Sequence, residues 1–461
     1  MAPPETRKGR NLVTGIGFGA LFAILAISLA MNVTLLGFLP GIYQPQPPPQ
    51  DGQSHSQTCP ALATDQHHDQ EKPKEATQLD RAKDETSISF TSGSRPASQG
   101  SIINLDHGDP TMFESFWRST GEDATIVIPG WQMMSYFSDV TNLCWFLDPE
   151  FAKQIRRLHA LVGNAVAEDR HIVVGTGSTQ LFQAALFALS PSDALQPTPV
   201  VSTVPYYSSY PAVTDFLRSG LFRWAGDANN FQGKHYIELV CSPNNPDGFM
   251  KEAVLKSDTG TTIHDLAYYW PQYTAITKPA DHEIMLFTVS KSTGHAGTRL
   301  GWALVKDQEI AKRMTKFVEL NSIGVSKDSQ LRAAKILKVI SDGYEIPNPG
   351  QPKLFEFGRN LLRQRWERLR EVVRETGIFS LPEFPSAHCT FTGSTTSSFP
   401  AFAWVKCEWE EAEDCAEFLK KHNILTRSGK HFGVGINHAR VSMLDRDETF
   451  DLFIQRLASI K

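Results

Sequence analysis

Beyond residue 150, two apolar patterns divide the chain. In the first, short, mostly apolar runs lead into small or turn-forming residues. Residues 172–174 precede Gly175, Thr176, Gly177 and Ser178, residues 236–240 precede Ser242, Pro243, Asn244 and Asn245, and residues 284–287 precede a Ser/Thr/Gly stretch. Each reads as a strand entering a loop. In the second pattern, apolar positions recur at three- and four-residue intervals. Phe182, Ala185, Leu186 and Leu189 predict a helix that opens at the Gly-rich turn and stops at Pro191. Phe355, Gly358, Leu361, Leu362, Trp366, Leu369 and Val373 predict another from about 353 to 375. Further on, a β-rich stretch at 401–405 is followed by a predicted helix over 410–421 and a strand around Arg440. The expected class is α/β. A large domain over 151–341 would carry a mainly parallel sheet, and a smaller α+β domain would combine 101–150 with 342–461.

The first hundred residues differ. Residues 12–39 carry no charge and are rich in Leu, Ile, Ala, Phe and Gly, long enough for the roughly twenty residues that a bilayer core demands. An uncleaved transmembrane signal anchor is expected there, behind a basic stretch at 1–11. Arg7, Lys8 and Arg10 precede the span, and no basic residue follows it until Lys72. That bias would leave the N-terminus cytosolic and the remainder lumenal, with the endoplasmic reticulum the expected membrane. Two observations pull the other way. The sequon Asn32-Val33-Thr34 lies inside the span, and the six cysteines include no C-x-x-C pair, so they predict neither a disulfide scaffold nor a metal site. The side of the membrane stays open. Residues 40–100 are proline-rich, then polar and charged without apolar periodicity, as in a disordered tether. His55, His67 and His68 are incidental to that linker. A formal net charge of −5 without a basic stripe argues against a nucleic-acid partner.

Three of the strand-to-loop junctions carry chemistry. The stretch from Phe287 to Trp302 delivers Lys291 among Ser290, Ser292, Thr293 and Gly294, and Arg299 follows eight residues on. A lysine amine at a strand end suits Schiff-base chemistry, and an arginine fork matches phosphate oxygens. The strand at 236–240 runs into Asn245-Pro246, and the run Ile263, His264, Asp265 closes on an acid with Tyr268 three positions later. Strand–Asn, strand–Asp-x-x-Tyr and strand–Ser-Lys, in that order, form a much rarer set than any one of them.

The set resembles the fold type I pyridoxal-phosphate enzymes, the aspartate aminotransferase superfamily, from about Asn104 to the C-terminus. The resemblance implies pyridoxal 5'-phosphate bound through Lys291, with Asp265 paired to the ring nitrogen and Asn245 and Tyr268 on the phenolic oxygen. Arg299 would bind the phosphate together with Gly177, Ser178 and Thr179 at a helix N-terminus, and Thr288 and Ser290 complete the implied cofactor set. In Val204-Pro205-Tyr206-Tyr207, the aromatic that stacks on the ring would be Tyr207, with Tyr206 the alternative. Lys291, Asp265 and Tyr268 are the implied catalytic residues. Arg440, in His438-Ala439-Arg440-Val441, would hold a substrate carboxylate, and residues 427–433 look like a loop that could close over it.

Within that superfamily the chain is similar to the plant alliinase/tryptophan aminotransferase-related group. Asp106 to Thr111, Pro129 to Phe137 and the Ser-Lys-x-x-Gly-His-Ala-Gly-x-Arg-Leu-Gly-Trp run carry the likeness. It implies a homodimer with a shared active site, in which Tyr136 reaches the neighbouring subunit's cofactor phosphate and Gly130 and Trp131 lie beside the substrate. The group holds two chemistries on one catalytic core: transamination of tryptophan to indole-3-pyruvate on the route to auxin, and sulfenic-acid elimination from cysteine sulfoxides. Alliinases carry a cysteine-rich module ahead of the catalytic domain, whereas here only Cys59 precedes Cys144. The expected activity is therefore transamination of an aromatic L-amino acid with a 2-oxo acid acceptor, with the carbon–sulfur lyase as the alternative.

Overall fold

The computed structural model describes residues 100–346 and 350–460. The expected basic N-terminus, transmembrane span and nearly all of the tether lie outside the described residues. Among those described, no helix is long and apolar enough to cross a membrane.

Seven strands build the principal sheet: β1 (His171–Gly175), β2 (Thr198–Ser202), β3 (Phe222–Asp227), β4 (Tyr236–Cys241), β5 (Gly260–Asp265), β6 (Ile284–Thr288) and β7 (Gly301–Val305). Their spatial order is β1-β7-β6-β5-β4-β2-β3. Six run parallel, while β7 is antiparallel to both its neighbours, β1 and β6. Every residue of β4, β6 and β7 is buried, which is why these runs are mostly apolar instead of alternating. The charged exception, Glu238 in β4, accepts from the Val254 amide at 2.8 Å and the Leu255 amide at 3.1 Å. The mainly parallel sheet matches the expectation. The reversed direction of β7 left no mark in the sequence, because a strand covered on both faces needs the same residues in either direction.

Helix boundaries follow local chemistry. The helix Pro149–Val162 opens with Asp148, whose side chain accepts from the Phe151 amide at 3.0 Å, and closes at Gly163 with φ 69°. The helix Gly177–Leu189 stops ahead of Pro191, as its pattern predicts. The helix Leu354–Thr376 buries Phe355, Gly358, Leu362, Trp366, Leu369 and Val373 and ends at Gly377 with φ 67°.

A second, antiparallel sheet orders Arg427–Ser428, His438–Ser442, Phe402–Cys407 and Phe379–Ser380. Ile103–Asn104 pairs in parallel with Ile424–Leu425, so the segment before the large sheet joins the C-terminal part. The helix predicted over 410–421 is divided. A 3-10 turn at Glu410–Ala412 precedes Asp414, which caps a separate helix at Cys415–Lys421 by accepting from the Glu417 amide at 3.1 Å. Cys407 and Cys415 form a disulfide across that break. The cysteine spacing did not predict it, because the pair meets only where a strand end lies against a helix start.

Candidate active site

The carboxyl ends of the parallel strands and the amino end of β7 share one edge of the sheet, the usual ligand position in an open α/β fold. A cavity of about 180 Å³ opens there. Ten residues expected from the sequence line it: Ser178, Thr179, Tyr207, Asn245, Asp265, Tyr268, Thr288, Ser290, Lys291 and Arg299. Gly177 stands behind them with φ 74°, and a Cβ at that position would come within 2.7 Å of an Arg299 guanidinium nitrogen. Glycine is needed there for two reasons, the backbone conformation and the close approach.

Lys291 sits on a single turn, Val289–Ser292. Thr288 starts the turn by accepting from the Ser290 amide at 3.2 Å and donates to the Leu300 carbonyl at 2.9 Å. The Lys291 carbonyl in turn receives the Tyr273 hydroxyl at 3.0 Å and the Gln272 side-chain amide at 3.3 Å. The lysine amine donates to the Gly108 carbonyl. Burial, then the positive charge of Arg440, lowers its pKa to about 8.

Asp265 closes β5 and heads no helix. Its carboxylate accepts from the Ala267 amide at 3.2 Å and from the Tyr210 hydroxyl at 3.1 Å. Burial raises its pKa, against the pull of those two donors and of the Lys291 charge. Tyr268 is buried, edge-on to Phe402 with ring centres 5.7 Å apart, and burial pushes its phenol well above the usual range.

Arg440 lies 3% exposed, with its guanidinium 4.2 Å from the ring centre of Phe402 and 5.3 Å from that of Phe432. It donates to Asn245 Oδ1 at 2.9 Å and to the Asp106 carbonyl, while its buried Nε has no protein acceptor. Arg427, on the predicted closing loop, pairs with the Asp106 carboxylate and donates to the Ser208 hydroxyl at 3.0 Å. Burial of Asp106 is outweighed by Arg427, which holds its carboxyl below the usual range. Two loops at the cavity rim are tied by Lys251, whose ammonium donates to the carbonyls of Thr203 at 3.2 Å and Pro205 at 2.9 Å.

Tyr207 lines the cavity, whereas Tyr206 packs edge-on to Trp224, with ring centres 4.9 Å apart. Gly130, Trp131 and Tyr136 are not brought to the cavity; Trp131 is 73% exposed and Tyr136 is 70% exposed. Sequence reading missed Tyr210 on Asp265, Gly108 on Lys291, and Phe402 under Arg440. Gly108 and Phe402 lie within stretches already singled out in the sequence and Tyr210 lies three residues past one, but nothing in their spacing shows which atom they would touch.

The donor set fits pyridoxal phosphate. Ser178, Thr179, Ser290 and Arg299 could hold a phosphate at the N-terminus of the Gly177–Leu189 helix, where first-turn amides have no intrahelical acceptor. A buried carboxylate, an amide, a phenol and an amine of lowered pKa surround the remaining space.

Comparison with known proteins agrees. The family model described as allinase matches residues 103–461. Tryptophan aminotransferase-related protein 2 of Oryza sativa subsp. japonica is 63% identical over 395 residues, covering 83% of this chain and 78% of its own length. Alliin lyase of Allium cepa var. aggregatum is 36% identical over 362 residues, covering 76% of this chain and 80% of its own. A solved aminotransferase from Staphylococcus aureus shares the fold at 19% identity and a TM-score of 0.54, covering 78% of this chain and 93% of that one. The chain thus belongs to the allinase family, whose members are pyridoxal-phosphate-dependent enzymes of the type I fold.

Proposed function

We propose that this protein is an aminotransferase that converts L-tryptophan to indole-3-pyruvate, passing the amino group to a 2-oxo acid on the route to auxin. The observation that carries the reading is the gap in likeness. Over similar coverage the chain is 63% identical to a tryptophan aminotransferase-related protein and 36% identical to an alliin lyase. The lyase likeness keeps carbon–sulfur elimination as the second reading.

When bound, pyridoxal phosphate supplies an electron sink for the substrate's α-carbon. On this reading Ser178, Thr179, Ser290 and Arg299 hold the phosphate, with Gly177 making room for the arginine and Thr288 shaping the turn beneath. Asp265 holds a proton on the ring nitrogen, Asn245 and Tyr268 donate to the phenolic oxygen, and Tyr207 packs on the ring face. Arg440 takes the substrate carboxylate as a bidentate partner. Lys291, whose pKa of about 8 lies near physiological pH, takes and returns the α-proton.

The segment carrying Trp131 and Tyr136 also exposes Val127, Met134, Phe137 and Val140, and clustered exposed apolar side chains mark interaction sites. We propose that a second copy covers it, with Tyr136 reaching the partner's phosphate site and Gly130 and Trp131 beside the substrate. Residues 12–39 are proposed as a single-pass anchor in the endoplasmic reticulum membrane; loss of membrane retention on deleting them tests this.

The test of the activity is product analysis of the full chain, loaded with pyridoxal phosphate and given L-tryptophan plus pyruvate. Indole-3-pyruvate and alanine, abolished by Lys291→Ala, are expected. Pyruvate and ammonia from an S-alkyl cysteine sulfoxide, with no product from tryptophan, would establish the lyase instead.

A further inference from the structure

We infer that Tyr210 is a positioning residue for the cofactor, acting through Asp265. The inference rests on the proposed pairing of Asp265 with the ring nitrogen.

Tyr210 opens the short helix Tyr210–Phe216 just past the Tyr207 loop and is 4% exposed. Its hydroxyl donates to Asp265 Oδ2 at 3.1 Å. Its ring stands edge-on to Tyr207, with centres 5.4 Å apart and planes at 86°, and packs on Phe182 at 5.4 Å. One side chain therefore touches both the carboxylate and the aromatic that border the cavity.

The chemistry gives the hydroxyl a task. Asp265 is partly buried at the cavity wall, and its desolvation favours the neutral acid. A neutral acid cannot hold a protonated ring nitrogen, so the site needs donors that keep the carboxylate charged. Two hydrogen bonds do this: the Ala267 amide, fixed by the backbone, and the Tyr210 hydroxyl. Cys241 and Lys291 also face the carboxylate. Lys291 supplies positive charge in the cofactor-free chain, but its amine is the group proposed to be consumed on loading. The hydroxyl of Tyr210 then becomes the one side-chain donor to Asp265 that remains among the described residues. Tyr210 is itself held in its neutral, donating form, because burial and the Asp265 charge push its pKa well above the usual range.

A tyrosine that only fills space would tolerate loss of its hydroxyl. The test is a double-mutant cycle on the full chain, reading the dissociation constant for pyridoxal phosphate by absorbance titration and checking folding by thermal unfolding of the cofactor-free protein. Tyr210→Phe keeps the ring and removes the donor. It is expected to weaken cofactor binding about tenfold, the scale of a lost hydrogen bond to a charged group. In an Asp265→Asn background the same change is expected to alter affinity by less than about twofold, because the charge it supports is gone. Unchanged affinity in Tyr210→Phe, or an equal loss in both backgrounds, would overturn the role of Tyr210. If Asp265→Asn alone leaves cofactor affinity intact, the pairing of Asp265 with the ring fails first and takes this inference with it.

Discussion

Lys291 is the residue on which the chemistry turns, and its environment makes a quantitative claim. The amine is buried beside the Arg440 guanidinium, and its pKa falls to about 8. A depressed lysine pKa means that the neutral, nucleophilic form dominates above that value. The rate at which the cofactor-free enzyme takes up pyridoxal phosphate should therefore rise with pH to about 8 and level off beyond it. A rate still climbing toward the ordinary lysine value of about 10 would show that the amine is not desolvated as described. Lys291, Asp265 and Arg299 were legible in the sequence because the chemistry restricts which residue types can serve. Tyr210 and Gly108 were not. A tyrosine hydroxyl or a glycine carbonyl has a hundred possible uses, and only the fold shows that one meets Asp265 and the other Lys291.

At the scale of elements, the site depends on β7 fitting between β1 and β6. Gly301 is a point of close backbone approach. A Cβ there would stand 2.7 Å from the Phe287 carbonyl and 2.8 Å from the Ser178 amide nitrogen, both backbone atoms that cannot swing aside. Gly301→Ala should cost about 1–3 kcal/mol of stability, as overpacking does. It should also weaken cofactor binding, because relief of the clash moves Ser178 away from the cavity. Thermal unfolding and a cofactor titration read the two effects, and a variant normal in both would contradict the packing described. Strand and helix positions were readable from apolar runs and periodicity. The direction of β7 and the break in the helix after Ala412 were not, since each follows from which element lies alongside, and the Cys407–Cys415 disulfide shares that dependence.

For the molecule as a whole, the described residues include a cavity rich in chemistry and, between Val127 and Val140, a segment of exposed apolar side chains. The proposed dimer connects them, and subunit complementation tests the connection. Lys291→Ala and Tyr136→Ala, each impaired alone, should regain activity when their subunits are mixed, because each hybrid contains one site with both residues intact. No recovery in hybrids shown to have formed would mean that Tyr136 does not serve the neighbouring site. The central claim is the transfer of an amino group from tryptophan, and the fate of the nitrogen tests it most directly. With L-tryptophan ¹⁵N-labelled at the α-amino group and unlabelled pyruvate, the label should appear in alanine, with indole-3-pyruvate formed in equal amount. Label released as ammonia, or left in unreacted tryptophan, would contradict the account.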